Sequence, residues 1–301
     1  MIVVVGSLNL DYVTRVERHP KAGQTVLGSD LELHPGGKGA NQAVAAARAG
    51  AQVRMLGCLG SDMAASLLLG SLEREGIDTS YLQKLEVASG SAFITLDAKG
   101  QNTIVVSSGA NAKLRPSDLR GQTFQDAKLV LLQLETPLET VLAAAKLGRA
   151  AGARVVLNLA PAQALEPSQL HDITTLVLNE SEAGVLLGRA PQNIKEALLE
   201  VQSLRELVPE AIITLGAKGA VYANSAGAGH VPSYPIKMID STAAGDAFIG
   251  AFAAALSDNA PLEQAVRRAV AAGALACTRL GAQPSLPYEL DIDTMLRNST
   301  D

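Results

Sequence analysis

Short runs of apolar residues alternate with segments of helical periodicity along most of the chain. The apolar runs have the uninterrupted character of strands that are buried on both faces, and they cover residues 2–5, 53–59, 129–132, 154–157, 174–178, 211–215 and 220–223. The periodic segments predict helices at residues 38–49, 63–75, 138–151, 194–207, 247–256 and 262–278. This alternation predicts an α/β fold with a mostly parallel central sheet flanked by helices, in which ligands are expected at the carboxyl ends of the strands.

Two segments, residues 10–34 and 88–107, interrupt the alternation. Both have the pattern of short strands with turns, and residues 97–102 have the composition of a hairpin turn. We expect these segments to form one small antiparallel sheet, a lid over the carboxyl edge of the main sheet that excludes water. The alternative is that they are edge strands of the main sheet.

Composition narrows the class of protein. Of the 301 residues, 48% are hydrophobic and 18% are charged, so the chain can bury a large core and form a single α/β domain over residues 1–301. The net charge of −5 argues against a nucleic-acid partner. The N-terminal apolar run is too short for a signal peptide or a membrane span, and the two cysteines, Cys58 and Cys277, lie outside any CxxC pair. We therefore expect a cytoplasmic protein with neither a membrane nor a nucleic-acid partner.

Residues 240–251 are the stretch most suggestive of chemistry, because a turn of small residues there leads into an apolar helix. The first amides of a helix have no partner within it, and together with the helix dipole they can hold a phosphate or a developing anion. Asp246 stands at this helix start. It could take a proton from a hydroxyl group that attacks a phosphorus atom, or it could be only the N-cap of the helix. The stretch alone leaves both interpretations open.

Two further motifs follow the first strand. Asn9 and Asp11 lie on one side of an extended chain, where they could hydrogen-bond adjacent hydroxyls of a polyol or stabilise a turn. Residues 36–41 form a glycine-rich helix start that lacks the spacing of a P-loop. This favours close approach of the backbone to a ligand over a Walker-type phosphate site.

Two other motifs stand at the ends of predicted strands. Asn179 and Glu182 either form a capping box at the next helix or hold a Mg²⁺–phosphate group, with Glu182 acting through water. The glycine-flanked residues 214–219 could lie against a nucleotide or form a plain β-turn.

The order of these motifs resembles that of the ribokinase-like sugar kinases, the PfkB family. The similar stretches are GGKGAN at 36–41, Asn158 with Pro161, NESE at 179–182, TLGAKG at 214–219 and DSTAAGDAF at 240–248. The resemblance covers essentially the whole chain. It implies a large α/β domain whose β-sheet lid is often shared between two subunits, and therefore a homodimer. It also implies transfer of the γ-phosphoryl group of ATP to the 5-hydroxyl of D-ribose.

The resemblance further implies a role for each matching residue. The catalytic base would be Asp246, and the anion hole would consist of Ala243, Ala244 and Gly245. The sugar site would consist of Asn9, Asp11, Gly36, Gly37, Lys38, Asn41 and Glu135, together with Asp246. The contacts to ATP would come from Asn179, Thr214, Gly216, Ala217, Gly219 and Gly245, with Glu182 near Mg²⁺. An activating K⁺ ion would be held, mostly by backbone carbonyls, at Asp240, Thr242, Ala276, Arg279, Gly281 and Ser285.

Two residues depart from the family pattern, since Ile249 stands where Asn is usual and Leu159 where Pro is usual. Kinases for 2-deoxyribose, a nucleoside or a fructose phosphate share most of the motifs. However, the chain has only four Phe and no Trp to stack a base, and Lys38 is the only evident cation for a substrate phosphate. A non-catalytic sugar sensor on the same scaffold is a further alternative, against which the presence of Asp246 and the glycine-containing turn argues.

Overall fold

A computed structural model describes residues 1–298; residues 299–301, the end of the predicted single domain, lie outside the described residues. The strands, in chain order, are β1 (Ile2–Val5), β2 (Asn9–Arg15), β3 (Glu32–Gly36), β4 (Val53–Leu59), β5 (Asp78–Lys84), β6 (Gly90–Leu96), β7 (Asn102–Ser107), β8 (Leu129–Leu132), β9 (Arg154–Asn158), β10 (Thr175–Asn179), β11 (Glu210–Thr214), β12 (Ala220–Asn224) and β13 (Gly227–Val231). The helices are α1 (Lys38–Arg48), α2 (Met63–Arg74), α3 (Leu138–Ala150), α4 (Glu180–Leu187), α5 (Ile194–Ser203), α6 (Ala244–Ser257), α7 (Leu262–Ala276) and α8 (Glu289–Arg297).

The main sheet has nine strands in the order β13-β12-β11-β10-β9-β8-β1-β4-β5. Neighbouring strands from β5 to β11 are parallel, and β12 and β13 add an antiparallel edge. This confirms the predicted α/β class. The strands β5 and β13 were not predicted, because an edge strand is partly exposed and lacks a continuous apolar run.

The apolar run of β1 is explained by the two layers of helices. Ile2 and Val4 face a core shared with α1, α2, α6, α7 and α8, whereas Val3 and Val5 face a core shared with α3, α4 and α5. All four side chains are buried. A central strand covered on both faces therefore needs apolar residues at every position.

The lid is a separate sheet of four strands in the order β3-β2-β6-β7, so the prediction of a small sheet distinct from the main one is confirmed. Its outer pairs are antiparallel as predicted, but its central pair, β2 with β6, is parallel, so the expectation of a wholly antiparallel sheet is wrong and the lid is a mixed sheet. The predicted hairpin turn lies between β6 and β7, where the amide of Gly100 donates to the carbonyl of Asp97 at 2.9 Å. Because no lid strand pairs with the main sheet within residues 1–298, the edge-strand alternative is wrong.

The helix that carries Asp246 begins at Ala244, three residues before the predicted start at residue 247. Its N-cap is Ala243, which has a positive φ of 58°. The prediction started the helix at its first long apolar side chains, whereas the helical backbone already includes small residues before them. Elsewhere, α5 ends earlier than predicted, at Ser203, and α8 was not predicted. No helix within residues 1–298 has both the length and the apolar character needed to cross a membrane.

Candidate active site

Asp246 is buried at the third position of α6, facing the start of α1. Its Oδ2 accepts a hydrogen bond from Asn41 Nδ2 at 3.0 Å, and its Oδ1 accepts one from Gln42 Nε2 at 3.0 Å. The carboxylate does not bond the amides of its own helix, and the N-cap position belongs to Ala243. The interpretation of Asp246 as a simple N-cap is therefore wrong.

Close packing of α1 against α6 makes these bonds possible. A Cβ atom added at Gly250, one turn after Asp246, would lie 2.3 Å from the Cβ of Ala45 and 2.6 Å from the backbone nitrogen of Ala46. Residues four apart share one face of a helix, so Gly250 and Asp246 both face α1. The small residue thus lets the two backbones approach closely enough for Asn41 and Gln42 to reach the carboxylate.

The start of α6 presents unpaired amides beside Asp246. Within residues 1–298, the N–H groups of Gly245 and Asp246 donate to no protein acceptor, as expected for a helix start without a side-chain cap. The amide of Ala244, by contrast, donates to the carbonyl of Ser241 at 3.2 Å. The amide of Ala243, which also lines the cavity, is likewise unpaired in the described residues, so the amides available to an anion near Asp246 are those of Ala243, Gly245 and Asp246 itself.

A cavity of about 250 Å³ opens at this point, at the carboxyl ends of β9, β10 and β11. It brings together the predicted site residues Lys38, Asn179, Glu182, Thr214, Ala243, Gly245 and Asp246. The sequence did not single out its other lining residues for the site, which include Ala160, Val177, Leu178, Ser241 and Phe248. Asn158 and Ile249 also line it. The sequence had marked Asn158 only as part of a family motif and Ile249 only as a departure from the family pattern.

A larger cavity of about 430 Å³ lies between β4, β5 and residues 114–123. None of the predicted site residues lines it. We assign the chemistry to the smaller cavity, because that one contains the buried carboxylate and the free helix amides.

Several charged side chains interact around Asp246. Burial raises the pKa of Asp246, against the opposing effects of Lys38 and of the hydrogen bonds from Gln42 and Asn41. Burial also raises the pKa of Asp11 to about 7, with further contributions from the charges of Glu135 and Asp246. Burial disfavours the ammonium group of Lys38, but the carboxylates of Asp246, Glu135 and Glu182 outweigh it and raise its pKa. The site therefore contains more carboxylates than cations.

The predicted sugar residues surround the start of α1. One oxygen of Glu135, Oε2, accepts from the backbone nitrogen of Lys38 at 2.9 Å and from Ser7 Oγ at 2.5 Å. Ser7 Oγ in turn accepts from the amide of Gly39 at 3.2 Å. Glu135 and Ser7 thus cap this helix from distant parts of the chain. Ser7 had no sequence signal beyond its place after the first strand.

Asn9 and Asp11 lie on β2, a central strand of the lid sheet. The side chain of Asn111 donates to Asn9 Oδ1 at 2.8 Å and also exchanges hydrogen bonds with the backbone N–H and carbonyl of Leu8. A Cβ atom added at Gly36 would lie 2.3 Å from Asp11 Oδ2, so the glycine leaves room for this carboxylate. Gly37 has a φ of 87°, in the left-handed region that favours glycine, and is the N-cap of α1. Asn111 was missed because a buried asparagine in a short turn has no recognisable pattern.

Asn179 and Glu182 form the capping box that the sequence allowed. The amide of Glu182 donates to Asn179 Oδ1 at 2.9 Å, and the amide of Asn179 donates to Glu182 Oε2 at 2.8 Å. Glu182 Oε1 bonds no protein group within residues 1–298, and burial raises the pKa of this carboxyl. No cluster of three or more His, Cys, Asp or Glu side chains in the same residues could hold a metal ion. The Glu182 carboxylate lines the cavity with one oxygen free of protein partners, which fits a hydrated Mg²⁺ ion that arrives with a nucleotide and is reached through water.

The predicted nucleotide loop follows β11. Thr214 lines the cavity, whereas Gly216, Ala217 and Gly219 lie beyond its lining. Gly216 and Ala217 are exposed, and a Cβ atom added at Gly216 would meet nothing within 4 Å. Packing alone requires a glycine at position 219, since an added Cβ atom would lie 2.0 Å from the carbonyl oxygen of Val231.

The residues predicted to hold K⁺ lie in two segments, 240–242 and 276–285, which are connected by the hydrogen bond between Asp240 and Gly281. Asp240 accepts hydrogen bonds from Thr242 at 2.7 and 2.9 Å and from the amide of Gly281 at 2.9 Å. Burial opposes ionisation of Asp240, but these bonds outweigh it and lower its pKa. The amide of Arg279 donates to the carbonyl of Ala276 at 3.2 Å, and the Ser285 hydroxyl donates to the carbonyl of Ala282 at 2.8 Å. An ionised carboxylate is an oxygen ligand of the kind that suits a hard monovalent cation.

Comparison with known proteins agrees with this architecture. The profile of the pfkB family carbohydrate kinases matches residues 1–289. The chain is 39% identical to a ribokinase of Bacillus subtilis, over 98% of this chain and 99% of the relative, and 36% identical to a deoxyribokinase of Salmonella typhi, over 95% of each. The structure of an Arabidopsis thaliana ribokinase complexed with ribose and ATP superposes with a TM-score of 0.91 at 30% identity, over 98% of each chain. The family match and relatives 36–39% identical over nearly the full length show that the chain belongs to the pfkB family of carbohydrate kinases.

Proposed function

We propose that this protein transfers the γ-phosphoryl group of ATP to the 5-hydroxyl of D-ribose, giving D-ribose 5-phosphate. The observation that carries the proposal is the buried Asp246, held by Asn41 and Gln42 beside the free amides of Gly245 and Asp246. A base and an anion hole at one point are what in-line phosphoryl transfer to a hydroxyl needs. The ribokinases among the relatives support the choice of sugar.

In the proposed reaction, Asp246 accepts the proton of the sugar hydroxyl as that oxygen attacks the γ-phosphorus, and the bond from this phosphorus to the bridging β-phosphate oxygen breaks to release ADP. The Gly245 and Asp246 amides, with Ala243 and Ala244 shaping the turn, stabilise charge on the transferred group. Lys38 adds a positive charge on the same side of the cavity. Bound Mg²⁺ would supply charge neutralisation at the β- and γ-phosphate oxygens, and Glu182 would hold it through water.

Charge in the pocket supports a neutral sugar as the acceptor. Asp11, Glu135 and Asp246 interact electrostatically with one another around Lys38. A phosphorylated substrate would meet several carboxylates and a single cation, which disfavours a fructose phosphate. Hydroxyl groups, by contrast, can donate to these carboxylates and accept from amide donors such as Asn9 and Asn41.

The remaining roles are part of the same proposal. Asn179, Thr214 and the loop containing Gly216, Ala217 and Gly219 contact ATP, while Gly36 and Gly37 let the backbone approach the sugar. K⁺ binds among Asp240, Thr242, Ala276, Arg279, Gly281 and Ser285. These roles would belong to one catalytic domain in a cytoplasmic protein, whose two cysteines are unpaired.

The lid sheet supports two proposals about assembly and motion. We propose that it closes over the sugar and that two subunits associate through it. Phe93, Ile104, Val105 and Val106 are exposed large apolar side chains on β6 and β7. Because successive residues of a strand face opposite sides of a sheet, Phe93 and Val105 share one face of the lid, and Ile104 and Val106 share the other. Exposed apolar side chains favour a protein partner, and a second copy of this chain offers the same sheet.

A coupled assay of ADP release tests the proposal. The purified protein with ATP and Mg²⁺ is given D-ribose, 2-deoxyribose, fructose, fructose 6-phosphate and a nucleoside in turn. We expect the highest kcat/KM with D-ribose. A higher value with 2-deoxyribose would support the deoxyribokinase alternative, and no turnover with any acceptor would favour the sugar sensor.

A further inference from the structure

A chain of buried amide side chains lies behind Asp246. Gln42 Nε2 donates to Asp246 Oδ1 and to Asn158 Oδ1, each at 3.0 Å. Gln42 Oε1 accepts from Gln133 Nε2 at 2.8 Å. Gln42 and Gln133 are fully buried, and Asn158 is 9% exposed.

These partners fix the orientation of the Gln42 amide. If the amide were reversed, its oxygen would face two acceptors, Asp246 Oδ1 and Asn158 Oδ1, and its nitrogen would face the Gln133 donor. Asn158 is itself anchored, because its Nδ2 donates to the carbonyl of Val177 on β10 at 3.3 Å. A hydrogen-bond donor therefore points at Asp246 from a direction set by β9 and by the residue that follows β8.

Stability alone does not account for this arrangement. Gln133 Oε1 is buried without a hydrogen-bond partner, and it lies where a Cβ atom at Gly6 would stand, 2.1 Å away. An unpaired buried oxygen is costly, and an apolar side chain of similar shape would avoid that cost. The amide groups instead provide a neutral donor that stabilises the ionised form of a buried carboxylate without forming an ion pair with it.

We propose that Gln42 is a positioning residue whose amide, oriented by Gln133 and Asn158, holds the Asp246 carboxylate ionised and aimed at the attacking hydroxyl. The inference rests on the proposed function, since it assigns Asp246 as the base. Gln42 is fully buried and does not line the cavity, so it acts on a ligand there only through Asp246. Its removal should therefore lower kcat more than it changes the KM for the sugar.

The test compares Gln42→Leu, Gln133→Leu and the double variant by kcat, KM and the pH profile of kcat at saturating sugar, where the loss of sugar binding on protonation of Asp11 does not enter. A hydrogen bond to a charged group is worth about tenfold or more in rate if it is made to the base, so we expect Gln42→Leu to lose about that much kcat. The acid limb of its profile should move to higher pH, because the carboxylate has lost a donor. Gln133→Leu should act in the same direction but less, and should add nothing further to Gln42→Leu.

Two more variants keep the test decisive. Gln42→Met keeps a similar length and volume but removes the donors without adding a charge, so its acid limb should also move to higher pH even if Gln42→Leu does not fold. Thr175→Val is the matched control, since it removes a buried donor to the carboxylate of Glu210 at the amino end of β10, away from the cavity. We expect it to lower the melting temperature and leave kcat and the pH profile unchanged.

Asp246→Asn separates the two levels of the proposal. If Asp246→Asn is inactive while Gln42→Leu and Gln42→Met keep kcat within about twofold and an unmoved acid limb, the positioning role is wrong and the proposed function stands. If Asp246→Asn turns over like the wild type, both are wrong.

Discussion

The starts of α1 and α6 look alike in sequence but differ in what surrounds them. Each has a glycine at its second position, Gly39 in α1 and Gly245 in α6. Each also follows an N-cap residue that has a positive φ and whose own side chain makes no capping hydrogen bond. In α1, the carboxylate of Glu135, the hydroxyl of Ser7 and the carbonyl of Ser7 accept from the first three amides. In α6, the amides of Gly245 and Asp246 remain unpaired within residues 1–298. A glycine-containing helix start is thus an anion site only where the fold leaves it uncapped.

The two glycines differ in the same way. A Cβ atom at Gly39 would lie 2.5 Å from the backbone nitrogen of Ser7, whereas one at Gly245 would meet nothing within 4 Å. Gly39 is therefore needed for packing. No neighbouring atom requires a glycine at position 245. We infer that the open space beside Gly245 admits a ligand.

The largest effect is expected at the carboxylate beside the uncapped amides. Asp246→Asn keeps the size of the side chain but removes the base, so kcat should fall by about 10²–10⁴-fold or more. The new amide would face two donors, Asn41 Nδ2 and Gln42 Nε2, and can accept from only one, so a small fall in melting temperature is also expected. Steady-state kinetics and thermal unfolding on one preparation check both. Turnover within a few fold of the wild type would exclude Asp246 as the base.

Substituting alanine for each of the two glycines tests whether the helix starts differ in function. Gly245→Ala should fold with equal or higher stability, because alanine favours the helix and meets no neighbour, but should lower kcat/KM about tenfold by placing a methyl group beside the anion hole. Gly39→Ala should lower the melting temperature by several degrees, because its methyl group overlaps backbone atoms. If both variants lose stability equally, or if Gly245→Ala keeps full activity, the contrast between the two helix starts is not functional.

The carboxylates near α1 predict a dependence on pH. Burial raises the pKa of Asp11 to about 7, so the proposed contact to the sugar is lost as Asp11 is protonated. The KM for the sugar should rise about tenfold for each unit of pH below that value. Measuring KM between about pH 5.5 and 8 in the wild type and in Asp11→Asn checks this, since the variant should bind weakly at every pH.

The same shift has a consequence for stability. The folded state binds a proton at Asp11 more tightly than the unfolded chain does, so this group's contribution to the free energy of unfolding is complete at low pH and decreases as pH rises from 3.8 to about 7. Asp11→Asn should therefore raise the melting temperature at about pH 8 by about 2 °C or more, relative to the wild type. An unchanged or lower melting temperature at that pH would contradict the raised pKa.

The smallest effect concerns the ion proposed behind the start of α6. A cation held near Asp240 and Thr242 would strengthen the field at the adjacent amides, so the rate should rise several-fold when K⁺ replaces Na⁺ at constant ionic strength. Asp240→Asn should reduce this response while Asp246 remains intact. Equal rates in the two salts would remove K⁺ from the proposal.

The sequence by itself determined the fold class and the order of the motifs. Alternating apolar runs and helical periodicity require a sheet covered on both faces, and the carboxyl ends of its strands gather Asn158, Asn179 and Thr214 at one edge. It could not identify β5 or β13, whose exposed edges carry little apolar pattern.

Tertiary contacts determine which helix start keeps unpaired amides and which groups hold Asp246 there. Asp246 bonds Asn41 and Gln42, more than 200 residues away, and α1 is capped by Glu135 from 97 residues away. Local sequence specifies helix propensity and turn geometry, but whether an amide or a carboxylate finds a partner depends on contacts between distant segments. These contacts distinguish a structural cap at α1 from a candidate catalytic centre at α6.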